Sequence, residues 1–166
     1  RGMCPENPAE VLERPSRWRR IPGVLSVRQL KTLIEAPRPI AAKPGQPEPL
    51  PLWLRDRAML ELMYASGLRA SEVGAVSLTD YVDTIGVVRV NGKGNKQRLV
   101  PVGKPAQDAI KSYVALCRPV LAKPDGRDRG KLLLSRSGRP LERIAVWHRV
   151  LRPGGSRGHL DRRPSR

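Results

Sequence analysis

The sequence has few aromatic residues and no long apolar run. Aromatic side chains make up 4% of its 166 residues and phenylalanine is absent, which leaves few platforms on which the bases of single-stranded RNA could stack. No segment approaches the roughly 20 consecutive apolar residues that a membrane span needs. An RNA-binding protein is therefore only a third candidate, and a membrane partner is not predicted.

Cysteine is also scarce. Cys4 and Cys117 lie far apart and neither has a histidine nearby, so neither a zinc site nor a disulfide framework is predicted. The first residues lack the charged, apolar and small-residue segments of a signal peptide. These features together predict a protein of the reducing cytoplasm.

Acidic residues are outnumbered. The chain has 15 of them against 32 lysines and arginines, which gives a formal net charge of +17. Such a balance predicts a polyanionic partner. Nucleic acid is the first candidate, because no basic amphipathic helix of the kind that binds an anionic membrane surface stands out.

The first half of the chain predicts helices separated by a proline-rich connection. Ser26 is a candidate N-cap for a short helix that ends before Pro37. Prolines between Ala36 and Pro51 predict an irregular segment, because proline fixes φ and removes a hydrogen-bond donor. Residues 52–66 then repeat apolar side chains at helical spacing, Gly67 suits a left-handed C-cap, and a further helix follows at "RASEVGAVSL".

The second half adds a small sheet. The runs "VVRV" and "RLVPV" predict an antiparallel β-hairpin around the turn "NGKGNK". Residues 106–121 predict a helix, a turn follows at Ser137 and Gly138, and "LERIAVWHRVL" predicts another helix. We therefore expect a mainly helical α+β fold with one small antiparallel sheet.

The hairpin turn carries Lys93 and Lys96, with Arg98 just behind them. A nucleotide-binding P-loop would need Ser or Thr after its lysine and a helix beyond, whereas Gln97 and a strand follow Lys96. The three cations are instead candidate contacts for the phosphates of DNA. The alternative, from this motif alone, is a solvated turn whose lysines only keep the protein soluble.

A second candidate lies upstream in "SGLRASE", residues 66–72. Arg69 falls in the corner between two predicted helices, and its planar guanidinium matches two phosphate oxygens. That geometry suits a phosphoryl-transfer site. The alternatives are a solvated arginine, with Ser71 or Glu72 acting as simple helix caps.

In combination, these blocks resemble the tyrosine recombinase, or phage integrase, family, particularly its Xer-type members. The blocks are "RDRAMLELMYASGLRASEVGAVSLTD", "GVVRVNGKGNKQRLVPVG" and, later, "WHRV". The resemblance runs from about Asn7 to Val150. It implies a poorly ordered linker at 1–22, a C-terminally incomplete catalytic domain at 23–151 and a basic irregular tail at 152–166.

The resemblance implies site-specific DNA recombination or integration, with strands cut and rejoined through a phosphotyrosine and without a metal, another cofactor or a small-molecule substrate. Double-stranded DNA and other recombinase protomers are the implied partners. Arg69 matches the arginine that clamps the scissile phosphate. Lys93 matches the hairpin lysine that protonates the leaving 5′ oxygen, and Glu72 matches an acid that supports the arginine.

The sequence departs from the family at its nucleophile. Tyr64, Tyr81 and Tyr113 all precede the region where the family's tyrosine lies, and Tyr64 and Tyr113 are predicted to be packing residues. His159 and Arg162 have the spacing of the family's His-x-x-Arg box without its flanking leucine and helix, and we predict a chance match. Two function classes stay open: a recombinase catalytic domain that is inactive alone, and a noncatalytic DNA-binding module or regulator.

Overall fold

The computed structural model describes residues 24–92 and 96–151. Lys93 and the predicted linker and tail lie outside the described residues. Within these two ranges the chain forms helices α1 (Val27–Glu35), α2 (Leu52–Ser66), α3 (Ala70–Ala75), α4 (Lys104–Ser112), α5 (Arg118–Leu121) and α6 (Arg143–Leu151), and strands β1 (Tyr81–Val82), β2 (Val87–Asn91) and β3 (Gln97–Pro101).

Helix α1 begins at the predicted N-cap, Ser26, which forms a capping box with Gln29. The Ser26 hydroxyl accepts a hydrogen bond from the Gln29 backbone N–H at 3.3 Å, and the Gln29 side chain accepts one from the Ser26 backbone N–H at 2.8 Å. Both bonds satisfy donors that a helix start leaves free. Ile34 then anchors the helix to the core.

The turn between α2 and α3 also follows the prediction. Gly67 ends α2 with φ of 57° and ψ of 31°, a left-handed conformation that glycine adopts at little cost. Leu68 is buried beneath the turn. Arg69 is the N-cap of α3, so only three residues separate the two helical segments.

The predicted hairpin is confirmed and belongs to a three-stranded antiparallel sheet of order β1-β2-β3. Its register runs from Val87 opposite Pro101 to Asn91 opposite Gln97. Strand β1 was not predicted, because two residues are too few to show a strand's alternation. It pairs Tyr81 with Val88.

The predicted helix over 106–121 is interrupted. A π-helical turn at Tyr113–Cys117 separates α4 from α5. Pro119 gives the physical reason, because it has no N–H to donate to the carbonyl four residues earlier and its ring crowds that carbonyl. Leu116, in the π-helical turn, is 63% exposed.

Helix α2 lies at the centre of the core. Ala58, Met59 and Leu62 are fully buried on it, and it packs against α4, the π-helical turn and α6. Arg55 on the same helix is also buried and donates to the Leu134 carbonyl at 3.2 Å. In the part of the chain that the structure describes, no helix is both long and apolar enough to cross a membrane.

Candidate functional site

Arg69 projects from a rigid corner into solvent. Its backbone N–H donates to Glu72 Oε2 at 2.9 Å, while Leu68 is buried next to it. The side chain is 79% exposed, and Nη1 lies 3.3 Å from Glu72 Oε1. The backbone is therefore fixed, and most of the guanidinium donors remain available to an outside anion.

Glu72 is the buried centre of this cluster. Its side chain is 7% exposed. Besides Arg69, it binds Arg98, whose Nη1 and Nη2 each lie 3.1 Å from one carboxylate oxygen. The Arg98 hydrogen bonds, then that from the Arg69 backbone, lower the pKa of the Glu72 carboxyl, whereas burial opposes them. Glu72 therefore caps α3, one of the alternatives that the sequence left open.

The predicted hairpin cations have different surroundings. Arg98 reaches from β3 to the α2–α3 corner, so it lies beside Arg69 across Glu72. Lys96 is exposed, and its backbone carbonyl accepts a hydrogen bond from the Gly92 N–H at 2.8 Å. Sequence reasoning missed the Arg98–Glu72 pair, because no local spacing signals a contact between residues so far apart in the chain.

The cluster favours an oxyanion ligand. Two guanidinium groups face one carboxylate, which leaves one net positive charge in this cluster of described residues. Because guanidinium donors match phosphate oxygens in pairs, Arg69 can hold a phosphate group of a larger ligand. The catalytic or DNA-binding roles predicted for these residues stay predictions.

The three tyrosines lie in different environments. Tyr113 is fully buried, accepts a hydrogen bond from the Leu134 N–H at 3.1 Å, and has its pKa raised to about 12 mainly by burial. Tyr81 donates to Asp83, and its pKa is also raised to about 12, first by burial. Tyr64 is 58% exposed, so its predicted packing role is wrong; it lies on the outer face of the last turn of α2.

The sequence model of the phage integrase family matches residues 24–162 of this chain. The chain belongs to this family. The matched range includes His159 and Arg162, which lie outside the described residues, so their predicted status as a chance match remains a prediction.

Relatives in the family share sequence and fold with this chain. The tyrosine recombinase XerD of Halalkalibacterium halodurans is 36% identical over 145 residues, which are 87% of this chain and 45% of that protein. The XerA recombinase crystal structure superposes with a TM-score of 0.61 at 20% identity, over 79% of this chain and 41% of that one. The structure of the Tn1549 transposon integrase in complex with circular intermediate DNA superposes with a TM-score of 0.56 at 17% identity. The match covers 88% of this chain and 47% of that one.

The family and the α+β fold class predicted from the sequence are therefore confirmed. The chain spans less than half the length of these relatives. Arg69 and Glu72 of this family member lie together at the α2–α3 corner, where the sequence motif placed them.

Proposed function

We propose that this chain carries part of the catalytic domain of a site-specific DNA recombinase, which cuts and rejoins strands through a phosphotyrosine. The observation that carries this proposal is the exposed Arg69 guanidinium, held at a helix corner by the buried Glu72 carboxylate. The recombinase names of the relatives and the DNA bound to the Tn1549 integrase support it. Double-stranded DNA and further recombinase protomers are the proposed partners, in the cytoplasm.

Each proposed role follows from the chemistry of phosphoryl transfer. Arg69 binds the nonbridging oxygens of the scissile phosphate and stabilises the charge that develops on them. Glu72 holds the Arg69 backbone and one of its terminal nitrogens in place. Lys93 protonates the leaving 5′ oxygen as a general acid, and Lys96 contributes a contact to the DNA backbone.

The nucleophile limits what these 166 residues do alone. Tyr113 is enclosed in the core, and neither Tyr64 nor Tyr81 matches the family's nucleophile in position. We therefore propose that the 166-residue chain binds DNA without forming a covalent intermediate. A noncatalytic DNA-binding module or regulator is the alternative, and it shares the prediction of DNA binding.

Salt-dependent binding to a fluorescent DNA duplex tests the phosphate site. Each phosphate that a protein neutralises contributes a slope of about 0.9 to the fall of log affinity with log salt concentration. Arg69→Ala should weaken binding and reduce that slope by about one unit. The control is Arg136→Ala, which removes an exposed arginine from the turn that precedes α6. Absence of wild-type binding, or equal effects of the two substitutions, would contradict the proposal.

A further inference from the structure

We infer that Arg98 is a positioning residue, which occupies the Glu72 carboxylate and thereby leaves Arg69 free to face a DNA phosphate. This inference rests on the proposed function of Arg69. It gives Arg98 a role different from the direct DNA contact that the sequence predicted.

The first support is the direction in which the Arg98 donors point. Both terminal nitrogens, Nη1 and Nη2, lie 3.1 Å from Glu72 oxygens. This is the paired geometry by which a guanidinium would otherwise bind a phosphate. Because the carboxylate is buried and needs compensating charge, moving Arg98 onto DNA would remove its strongest partner.

The second support is the unequal division of Glu72 between its two arginines. Arg69 offers the carboxylate one terminal nitrogen, at 3.3 Å, and its side chain stays 79% exposed. Arg98 offers two nitrogens at the shorter distance and is 42% exposed. Without Arg98, the buried carboxylate would have Arg69 as its one remaining cationic partner among the described residues, and it would draw that guanidinium inward.

The third support is the fit between Arg98 and the end of the hairpin. A Cβ atom added to Gly92 would lie 3.3 Å from Arg98 Nη1, so the guanidinium packs closely under the backbone there. The Gly92 N–H also donates a hydrogen bond to the Lys96 carbonyl. The Arg98–Glu72 pair therefore joins the hairpin, at the residues that flank 93–95, to the corner that carries Arg69.

Two NMR measurements on the protein without DNA test this link. In Arg98→Ala, the Arg69 Nε–Hε resonance should shift and the Glu72 pKa, followed through its side-chain carboxyl carbon, should rise. The matched control is Arg89→Ala, since Arg89 lies on β2, is 44% exposed and pairs with Asp80 through a 3.4 Å contact. The control should move neither signal of the Arg69 cluster. If Arg98→Ala also moves neither, the inference is wrong.

A double-mutant cycle on DNA affinity separates positioning from direct contact. In the Glu72→Gln background, Arg98→Ala should change duplex affinity less than twofold and leave the salt slope unchanged, because no carboxylate remains to capture Arg69. A direct phosphate contact would instead lower the slope by about one unit in that background, which would overturn the inference. Arg98→Lys keeps the charge but not the fork, and should shift the Arg69 resonance as Arg98→Ala does.

These experiments distinguish failure of the proposed function from failure of the positioning role of Arg98. If the wild-type protein does not bind duplex DNA, the proposed function is wrong, and the NMR measurements still decide whether Arg98 positions Arg69 through Glu72. If the wild-type protein binds DNA and the Arg69 resonance is unchanged in Arg98→Ala, the proposed function stands and the positioning role is refuted.

Discussion

The Nε atom of Arg149 lies 3.0 Å from Oδ1 of Asp56, and this ion pair joins α6 to α2. The same oxygen accepts a hydrogen bond from Arg55 Nε at 2.9 Å, and Arg55 is 1% exposed. Burial, then the charge of Arg55, lowers the pKa of Arg149, and Asp56 opposes both effects. One carboxylate oxygen therefore compensates two guanidinium groups, one buried and one partly buried.

Asp56→Ala should destabilise the protein by about 1–3 kcal/mol, because the buried Arg55 would lose a hydrogen-bonded carboxylate. The free energy of unfolding, from urea titration, measures this loss. Asp108→Ala is the matched control, since Asp108 pairs with Lys104 on the surface at 3.5 Å. It should cost less than about 1 kcal/mol, and equal effects of the two substitutions would contradict the account.

Gly74→Ala should destabilise the protein by about 1–3 kcal/mol through overpacking, although alanine is ordinarily the better helix former. Gly74 lies in α3, and a Cβ there would lie 2.5 Å from the Leu141 carbonyl oxygen. Thermal or urea unfolding measures the change. At Gly103 the nearest atoms to an added Cβ are 3.9 Å away, so Gly103→Ala should have a smaller effect. A stabilising Gly74→Ala would refute the close contact between Gly74 and the Leu141 carbonyl.

Glu72 should make stability depend on pH in the acid range. Its pKa in the folded protein lies below the ordinary value of 4.5, so its contribution is present above that pH and is lost as the pH falls through the folded value. The destabilisation caused by Glu72→Gln should therefore be larger at pH 6 than at pH 3. The pKa values of Asp125 and Asp128 are also lowered. The contribution of Glu72 is therefore isolated by the difference in unfolding free energy between wild type and Glu72→Gln. A difference independent of pH would count against the Arg98–Glu72 pair.

The 166 residues should form no covalent adduct with DNA. A tyrosine must reach phosphorus to form the intermediate, and Tyr113 is buried in the core. Incubation with a nicked suicide duplex followed by denaturing electrophoresis tests this. An adduct that disappears in Tyr64→Phe or Tyr81→Phe would show that one of these residues is a nucleophile after all.

Local signals in the sequence predicted local structure well. Ser26 and Gln29 are close enough in sequence to cap one helix, and Gly67 ends another because its left-handed conformation favours glycine. The position of Arg69 beside Glu72 follows from the same short range, since the two residues are three positions apart at a helix start.

Contacts across the fold could not be read in this way. The Arg98–Glu72 pair depends on how the sheet packs against α3, and alternation along β3 says nothing about that packing. The exposure of Tyr64 depends on which side of α2 the rest of the chain covers. The π-helical turn did have a signal, Pro119, which an apolar helical pattern around it concealed.

The most direct test of the central claim, that Arg69 binds DNA phosphate, is a titration of arginine-labelled protein with a DNA duplex, followed through the side-chain Nε–Hε resonances. Arg55 is an internal control, because it is buried and hydrogen-bonded to Asp56 and the Leu134 carbonyl. The account predicts that the Arg69 resonance shifts saturably with DNA while that of Arg55 stays in place. Saturable DNA binding that leaves the Arg69 resonance unchanged would contradict it.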